Sequence, residues 1–450
     1  MYCHVLVAEP DRSAQTRKPE PGDDPMILEI IESLFILSTL AMAVYLARHY
    51  LFTFTVLRKS KNHKPSDSAK TEYAPTVTIL IPAHNEEQVI GQLLKRMTEL
   101  TYPREKTQIV IINDASSDNT RQIAQQFAAQ NSHIQIINRD KTVGGRGKAA
   151  ALNAGLKLAT GEIVVCFDAD YSPQRDIIRK LVQGFRDPSV GAVQGRPIVL
   201  NESKNTVTRL VTLERIGGFR VDQEARYNLG LVPQFGGTVG GFRRSIIKQL
   251  GGFDERMLTE DTDLTFHIIL LGYKIAYMGE AECYEEAVST WRAYWRQRHR
   301  WAQGHMQVCL KHSLKVVRSK KLNWKEKLDG LLILHVYFMP VLTLFALFLG
   351  ASLILYEPSA LVYALWFFVP ISLYSAVGNF APFFEVGVGV YLDGRRRLQW
   401  LIPLLIFLYF YNIAICTKAF LDLCASGIRG GRVDWEKTQH FGDGNRYIMN

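Results

Sequence analysis

Long apolar segments near both ends of the chain constrain its fold more than any other feature. Residues 26–57 form one such segment, and a second apolar region runs over residues 328–425. About 20 apolar residues suffice for a helix to cross a bilayer, so residues 26–57 predict a transmembrane helix. The C-terminal region contains three candidate segments, at residues 328–356, 359–392 and 399–425. Buried helices of a soluble protein are a poor alternative at these lengths.

Basic residues lie beside the apolar segments and predict an orientation. The formal net charge is +10, which is compatible with a nucleic-acid, membrane-surface or phosphorylated ligand. Arg58, Lys59, Lys61 and Lys64 follow the first apolar segment, and residues 395–397 are all arginine. This placement follows the positive-inside rule, so we expect an integral protein of the plasma (inner) membrane with a cytosolic middle part. It argues against nucleic-acid binding.

Composition predicts the remaining boundaries. Residues 1–25 are polar and turn-rich without the pattern of a signal peptide, so we expect a disordered lead. After the helix at 26–57 we expect a linker, an α/β domain, interfacial amphipathic helices, a membrane region and a tail, at residues 58–72, 73–290, 291–327, 328–425 and 426–450. Six cysteines show neither a CxxC pair nor a zinc-ligand spacing, which predicts reduced or lipid-buried thiols.

The region 73–290 alternates β-branched runs with helical stretches. Four runs predict strands that end in polar loops: TVTILIPAHNEE (76–87), QIVIINDASSDNT (108–120), IQIINRD (134–140) and GEIVVCFDADYSP (161–173). This alternation indicates a Rossmann-like, mostly parallel α/β sheet. Ligands of such sheets bind at the carboxyl ends of the strands, and Asp114, Asp168 and Asp170 stand there.

Two acidic loops of this region are candidates for binding chemistry. Asp168 and Asp170 form a DxD pair, which can share a divalent cation, Mg²⁺ or Mn²⁺, with a diphosphate. A solvated turn is the alternative interpretation. Asp114 can accept hydrogen bonds from a nucleotide base or a ribose hydroxyl. The alternative for Asp114 is a helix N-cap, although Ser117 and Asp118 lie closer to the predicted helix.

Two further stretches carry charged groups at predicted helix starts. GGRGKAAALNAG (144–155) is Gly-rich, but it lacks the P-loop pattern, and Lys148 remains a candidate cation for a phosphate. Glu260 and Asp261, in the stretch TEDTD, open another predicted helix. A carboxylate there either caps the helix or acts as the general base that deprotonates an acceptor hydroxyl.

The stretch WRAYWRQRHRWAQGHMQVCLKH (291–312) predicts an amphipathic interfacial helix with aromatic and basic anchors. That interpretation is compatible with a catalytic role, because an arginine can bind a departing diphosphate and a tryptophan face can stack on a sugar ring. We expect Arg298 and His299 to contact solvent or lipid headgroups.

The ordered set PAHNEE, NDASSD, GKAAALN, DAD, TED and QRHRW resembles the membrane-embedded, processive branch of glycosyltransferase family 2. That branch includes cellulose, chitin, hyaluronan and poly-N-acetylglucosamine synthases. The resemblance covers residues 73–312 and the membrane segments. It implies a GT-A type fold with flanking transmembrane helices, a UDP-sugar donor and inversion at the anomeric carbon by direct displacement.

The resemblance also implies roles for individual residues. Contacts to the UDP-sugar would come from Pro82, Asn85, Glu86, Asp114, Lys148, Asp168 and Arg300. Acceptor contacts would come from Gln297, Trp301, Gly237 and Thr238. Asp261 would be the general base, with Glu260 beside it. Asp168 and Asp170 would bind Mg²⁺ or Mn²⁺.

The tail segment DWEKTQHFG (434–442) is similar to a segment that covers the nucleotide in some relatives. Trp435, Lys437 and Thr438 would then form a lid, and a plain basic tail is the alternative. Three C-terminal spans would place this tail outside, whereas a lid requires it inside. A re-entrant part of 359–392, which prolines and glycines interrupt, would remove the conflict.

These features predict an inverting membrane β-glycosyltransferase that polymerises glucose or N-acetylglucosamine and exports the chain, with or without an accessory subunit. A glycolipid synthase that transfers sugar to diacylglycerol or another lipid is the alternative. A membrane scaffold with a degenerate transferase domain is disfavoured, because all the acidic positions are intact.

Overall fold

The computed structural model describes residues 25–60, 73–145, 147–356 and 380–429. The predicted disordered lead, most of the linker and most of the tail lie outside these ranges, as do the lid residues Trp435, Lys437 and Thr438. The apolar segment 359–392 is described only from residue 380 onward. The lid therefore stays a prediction.

Eight strands form one mixed sheet. They are β1 (Val77–Ala83), β2 (Thr107–Asp114), β3 (Ile134–Arg139), β4 (Ile163–Cys166), β5 (Ser172–Pro173), β6 (Val190–Val199), β7 (Gly240–Arg243) and β8 (Lys274–Glu285). Their order across the sheet is β3-β2-β1-β4-β7-β6-β8-β5. Strands β3, β2, β1 and β4 run parallel. Strand β7 is antiparallel to both β4 and β6, β6 and β8 are parallel, and β5 is antiparallel to β8.

Helices cover both faces of the sheet. They are α2 (Ile90–Thr98), α3 (Thr120–Gln130), α4 (Lys148–Leu158), α5 (Ile177–Val182), α6 (Thr206–Arg215), α7 (Glu224–Leu229), α8 (Arg244–Leu250), α9 (Glu260–Leu270) and α10 (Trp291–Arg318). A π-helical segment, Ile216–Gln223, joins α6 to α7. One core packs α2 and α5 against the sheet, and another packs α4, α8, α9 and α10. The parallel strands read as continuous apolar runs because both of their faces are buried.

Three of the described helices are long and apolar enough to span a membrane: Met26–Lys59, Trp324–Leu355 and Arg396–Ser426. The first is α1 (Pro25–Ser60). The second combines α11 (Trp324–His335), the 3-10 turn Val336–Phe338 and α12 (Met339–Tyr356). The third combines a 3-10 helix, Arg396–Leu404, with α14 (Leu405–Arg429). A shorter apolar helix, α13 (Phe380–Leu392), precedes it.

The spanning helices carry apolar side chains outward and dock on the α/β domain inward. Leu37 of α1 is 65% exposed, Leu355 of α12 is 81% exposed and Trp400 is 88% exposed, which suits contact with lipid tails. On the inner side, Phe52 of α1 packs against Val221 and Ala225 of the α/β domain. Asp329 of α11 accepts a hydrogen bond from Arg226 Nε of α7 at 3.2 Å. The long apolar helices therefore meet the α/β domain at α1 and α11.

Candidate active site

The carboxyl ends of β1, β2 and β4 meet at one edge of the sheet and open into a cavity of about 480 Å³. Twelve residues singled out from the sequence line this cavity: Pro82, Glu86, Asp114, Lys148, Asp168, Asp170, Thr238, Glu260, Asp261, Gln297, Arg300 and Trp301. Residues more than 200 positions apart in the chain thus form one site. Among the predicted site residues that the structure describes, Asn85 and Gly237 stand behind the cavity lining.

Asn85 joins the loop after β1 to the loop after β2. Its φ of +53° is a left-handed conformation that Asn adopts more readily than most residues. Its Oδ1 accepts a hydrogen bond from the Ser117 N–H at 2.7 Å, and its own N–H donates to Ser116 Oγ at 3.0 Å. Asn85 therefore shapes the loop that presents Pro82 and Glu86 to the cavity.

Asp114 ends β2, and a residue that sequence reasoning missed holds its carboxylate. The β2–β3 register pairs Asp114 with Arg139, and Arg139 Nη1 donates to Asp114 Oδ1 at 2.6 Å. Burial raises the pKa of Asp114, and the Arg139 guanidinium opposes that rise. The sequence contains a signal for this pair, because both residues end neighbouring predicted strands.

Lys148 begins α4 and neutralises the first carboxylate of the DxD turn. Its Nζ lies 2.6 Å from Asp168 Oδ1 and donates to the Gly237 carbonyl at 3.0 Å. Burial lowers the pKa of Lys148, but attraction to Asp168 and Glu260 outweighs burial, so the pKa rises overall. Lys148 is thus a permanent cation beside Asp168 and Asp170.

Glu260 and Asp261 open α9 and form a tightly coupled carboxyl pair. The Thr262 N–H donates to Asp261 Oδ1 at 2.6 Å. Burial raises the pKa of Asp261. Burial also raises the pKa of Glu260, to about 7, against the attraction of Lys148 and with added repulsion from Asp261. A pair that holds a proton near neutral pH is suited to general acid–base chemistry.

A loop before β7 lies directly against Asp261. Gly237 has a φ of +75°, and a Cβ at this position would stand 3.0 Å from Asp261 Oδ2. Gln194 holds the loop, because its Oε1 accepts from the Gly236 N–H at 2.6 Å and its Nε2 donates to the Thr238 carbonyl at 3.1 Å. Glycine at position 237 is therefore what allows the loop to approach the carboxylate.

Three of the α10 residues that line the cavity were predicted for the site and stand at helical spacing. Gln297, Arg300 and Trp301 lie three and four positions apart, so they share one helix face. Burial lowers the pKa of Arg300, and the carboxylates of Glu260 and Asp261 oppose this change. Because guanidinium groups stay protonated in proteins, a second permanent cation lies near the carboxyl pair.

The sequence from residue 74 to residue 304 matches the family model described as glycosyltransferase-like family 2. The match covers just over half of the chain and contains every motif from PAHNEE to QRHRW. This chain is a member of glycosyltransferase family 2. The acidic loops and the basic helix face described above lie within the matched region.

Curated relatives of this family 2 glycosyltransferase differ in their named products. It is 37% identical to the probable glycosyltransferase YdaM of Bacillus subtilis over 61% of its own length and 64% of that protein. It is 33% identical to the beta-monoglucosyldiacylglycerol synthase of Synechocystis over 58% of its own length and 54% of that protein. It thus spans less than two thirds of these two relatives. It is 26% identical to the poly-beta-1,6-N-acetyl-D-glucosamine synthase of Staphylococcus epidermidis over 88% of its own length and 94% of that protein.

The fold of this glycosyltransferase is similar to that of a solved mannosyltransferase from Pyrobaculum calidifontis in complex with GDP-mannose and Mn²⁺. The TM-score is 0.56 at 27% sequence identity, over 80% of this chain and 98% of that one. The predicted mostly parallel GT-A fold is confirmed.

The prediction that Arg298 contacts solvent or headgroups is wrong, whereas the side chain of His299 is 22% exposed and also has a protein partner. Arg298 is buried, its Nη2 donates to Glu214 Oε2 at 2.6 Å, and its guanidinium lies 4.3 Å from the Trp301 ring centroid. His299 Nε2 lies 3.0 Å from Asp422 Oδ2 on α14. Helix α10 lies between α6 and α14, so Arg298 and His299 each find a carboxylate partner in the protein.

Asp263, which sequence reasoning left without a role, ties α9 to α10. Its Oδ1 accepts from Lys311 Nζ at 2.7 Å and lies 2.7 Å from His312 Nε2. Burial raises the pKa of Asp263, but hydrogen bonds from His312 and Lys311 lower it overall. Asp263 therefore links the helix that carries Glu260 and Asp261 to the α10 wall of the cavity.

Proposed function

We propose that this protein is an inverting β-glycosyltransferase that transfers glucose or N-acetylglucosamine from a UDP-sugar onto a growing polysaccharide. The observation that carries this proposal is a single cavity. Asp261, Arg300 and the DxD carboxylates line it, and so do Arg48 and Tyr337 of two membrane-spanning helices. Donor chemistry and a route for a membrane-associated product therefore share one space.

The chemistry follows from the groups around the carboxyl pair. Asp261 takes the proton of an acceptor hydroxyl as that oxygen bonds to the anomeric carbon of the donor. The bond from the anomeric carbon to the diphosphate breaks on the opposite face, so the configuration inverts and the nucleoside diphosphate leaves. Lys148 and Arg300 stabilise the negative charge that develops on the departing diphosphate.

The DxD turn fits a divalent metal. Asp168 and Asp170 offer hard carboxylate oxygens, the ligands that Mg²⁺ and Mn²⁺ prefer, and both line the cavity. Asp168 already attracts one cation, the Lys148 ammonium. We propose that the two aspartates hold Mg²⁺ or Mn²⁺, which supplies Lewis-acid neutralisation of the diphosphate when bound.

A polymer product is supported by the length of one similarity. The match to the Staphylococcus epidermidis polysaccharide synthase extends over 88% of this chain and so includes the membrane region. We propose that the catalytic domain lies on the cytosolic side of the plasma membrane. The product would leave through the C-terminal helices, with or without an accessory export subunit.

A lipid acceptor is the second candidate, because a cavity that reaches spanning helices also suits an acceptor dissolved in the bilayer. The similarity to a glucosyldiacylglycerol synthase supports this candidate, over a shorter stretch. A polymer and a glycolipid differ in solubility, so the same assay separates them.

The test is a donor panel on the purified full-length protein in lipid nanodiscs, with UDP-glucose, UDP-N-acetylglucosamine and GDP-mannose, each with Mg²⁺ or Mn²⁺. We expect release of UDP and a water-insoluble or high-mass β-linked product by linkage analysis, with activity reduced about 10²–10⁴-fold in Asp261→Asn. A chloroform-soluble product supports the lipid candidate instead. Donor turnover that is equal in the wild type and Asp261→Asn, or absent with every donor, overturns the proposal.

A further inference from the structure

The cavity extends from the catalytic carboxylates to a group of charged residues at the membrane helices. Arg48, Asp222 and Arg226 line that end, together with Val336 and Tyr337. Arg48 lies inside the predicted span Met26–Lys59. Ionisable residues within a span are costly and usually mark a functional site, so the partners of Arg48 decide what this group does.

Two neighbouring ion pairs, each with at least one residue outside the cavity lining, are within hydrogen-bond distance. His49 Nδ1 lies 2.5 Å from Glu385 Oε2. Asp329 Oδ1 accepts from Arg226 Nε at 3.2 Å, and its Oδ2 accepts from the Val232 N–H at 3.1 Å. These contacts attach α1 to α13, and α7 to α11. They are sufficient to explain the anchoring of the membrane helices on the domain.

The ion pairs of Asp222 with Arg48 and Arg226, which line the cavity, have longer nitrogen–oxygen distances. Arg48 Nη2 stands 3.6 Å from Asp222 Oδ2, and Arg226 Nη1 stands 3.7 Å from the same oxygen. Both distances exceed a hydrogen bond. Arg48 is 8% exposed, and its Nε, like Asp222 Oδ1, is buried without a hydrogen-bond partner among the described residues. Unsatisfied buried polar groups are destabilising, and polar atoms this far apart are commonly bridged by a third group.

The chemistry of the gap selects an uncharged, hydroxyl-rich ligand. The guanidinium groups of Arg48 and Arg226 stand against the carboxylates of Asp222 and Asp329, and His49 stands against Glu385. Every cationic group here therefore faces a carboxyl group, which favours an uncharged ligand over an ion. A hydroxyl can accept from Arg48 and donate to Asp222. Trp301 and Tyr337 line the same cavity and give it apolar surface for the C–H groups of a sugar ring.

We propose that Arg48, Asp222 and Arg226 form an acceptor subsite that binds a hydroxyl-rich group, a sugar ring or a glycerol headgroup, next to the reacting acceptor unit. This inference rests on the proposed glycosyltransferase function and specifies where its acceptor lies. The subsite is built partly from a membrane-spanning helix, so the acceptor touches the membrane part of the protein while it reacts.

The test compares Arg48→Gln and Asp222→Asn with the wild type, as full-length protein in nanodiscs. The acceptor probes are cellotetraose, N,N′,N″,N‴-tetraacetylchitotetraose and, separately, dioleoylglycerol in phosphatidylcholine vesicles. We expect the acceptor KM to rise at least tenfold in each variant while the donor KM stays within twofold. The matched control is Arg58→Gln, which removes an exposed arginine of the same helix and should change neither KM.

Three further readouts keep the result interpretable. Because Arg48 and Asp222 serve one subsite, the double variant should raise the acceptor KM less than the product of the single effects. Arg48→Lys should restore part of the affinity if the cation donates to the acceptor. The probe that responds identifies the source of the hydroxyl-rich group, glycan or lipid.

Unchanged acceptor KM values in both single variants overturn the subsite. Calorimetric titration of the same probes in the absence of donor tests it independently of turnover: binding that is equal in the wild type and Arg48→Gln also overturns it. Failure of the proposed function gives a different result, because the wild type would then release no nucleotide from any donor.

Discussion

The ammonium of Lys148 lies 2.6 Å from Asp168 Oδ1. One carboxylate of the DxD turn is therefore paired with a protein cation before any ligand arrives. A divalent metal must share Asp168 with this cation, whereas a donor diphosphate gains a second positive group. Lys148 should thus have opposite effects on metal binding and on donor binding.

Replacing Lys148 with Gln should separate these two effects. Removal of the positive charge should tighten Mn²⁺ binding to the donor-free protein by roughly tenfold and raise the donor KM by at least a similar factor. Electron paramagnetic resonance titration of Mn²⁺ and initial-rate kinetics measure the two quantities. Lys141→Gln, which changes an exposed lysine of the preceding loop, is the control. Equal Mn²⁺ affinity in Lys148→Gln and the wild type would contradict the expectation that Lys148 and the metal share Asp168.

The raised pKa of Glu260 predicts a pH-dependent stability. Its folded pKa is about 7 against an ordinary value of 4.5, so the folded state binds more protons between these values. The contribution of Glu260 to the free energy of unfolding is therefore fully present below pH 4.5 and decreases as pH rises toward 7. The glutamine of Glu260→Gln cannot ionise, so the difference in Tm between this variant and the wild type should increase in favour of the variant as pH rises over this range. Tm curves that stay parallel from pH 5 to pH 7.5 would rule out the shift.

Gly237 offers a test of the contact with Asp261. Gly237→Ala should lower kcat at least tenfold, because its Cβ would stand 3.0 Å from Asp261 Oδ2 and displace this proposed base. Gly251→Ala is a matched control: Gly251 has a φ of +81° with open space around a Cβ. Both variants carry the left-handed strain of about 1 kcal/mol, but only the first should lose activity. An equal loss of kcat in the two variants would assign the effect to strain alone.

The pair of buried Arg298 and partly buried Glu214 should contribute to stability. Glu214→Ala removes the carboxylate that accepts from Arg298 at 2.6 Å and leaves a buried guanidinium unpaired. We expect a loss of about 3 kcal/mol, measured as a fall in Tm. The double variant Glu214→Leu with Arg298→Met should recover much of that loss, because apolar pairs replace buried ion pairs well.

The comparison for this buried pair is Arg256→Met. Arg256 is 78% exposed in its pair with Asp254, and exposed pairs contribute about 0–1 kcal/mol. Its Tm should stay close to that of the wild type. A similar fall in Tm for Arg256→Met and Glu214→Ala would show that burial is not the cause.

The sequence alone predicted the parallel half of the sheet, because each of its strands is a local apolar run followed by a polar loop. The same runs placed Asp114, Asp168 and Asp170 at one edge. The position of β7 between β4 and β6 was not predictable from the sequence. Strand β7 has only four residues, and so short a stretch does not indicate which strands it pairs with.

Side-chain partners show the same limit. The helix that carries QRHRW was predicted, but Arg298 bonds to Glu214, 84 positions earlier. That contact depends on how α10 packs against α6, which a local pattern does not encode. The subsite at Arg48 and Asp222 joins a membrane helix to a π-helical segment, and no motif connects these two stretches.

The family match ends at residue 304, in the middle of α10, which continues to Arg318. A fragment cut at that boundary would keep the cavity-facing turn but lose the buried residues Met306, Val308 and Cys309 that seat the helix. The boundary of the family match therefore does not coincide with a boundary between independently packed parts of the structure. An exchange of catalytic domains with a relative would have to carry α10 whole, together with the membrane helix that it meets through His299 and Asp422.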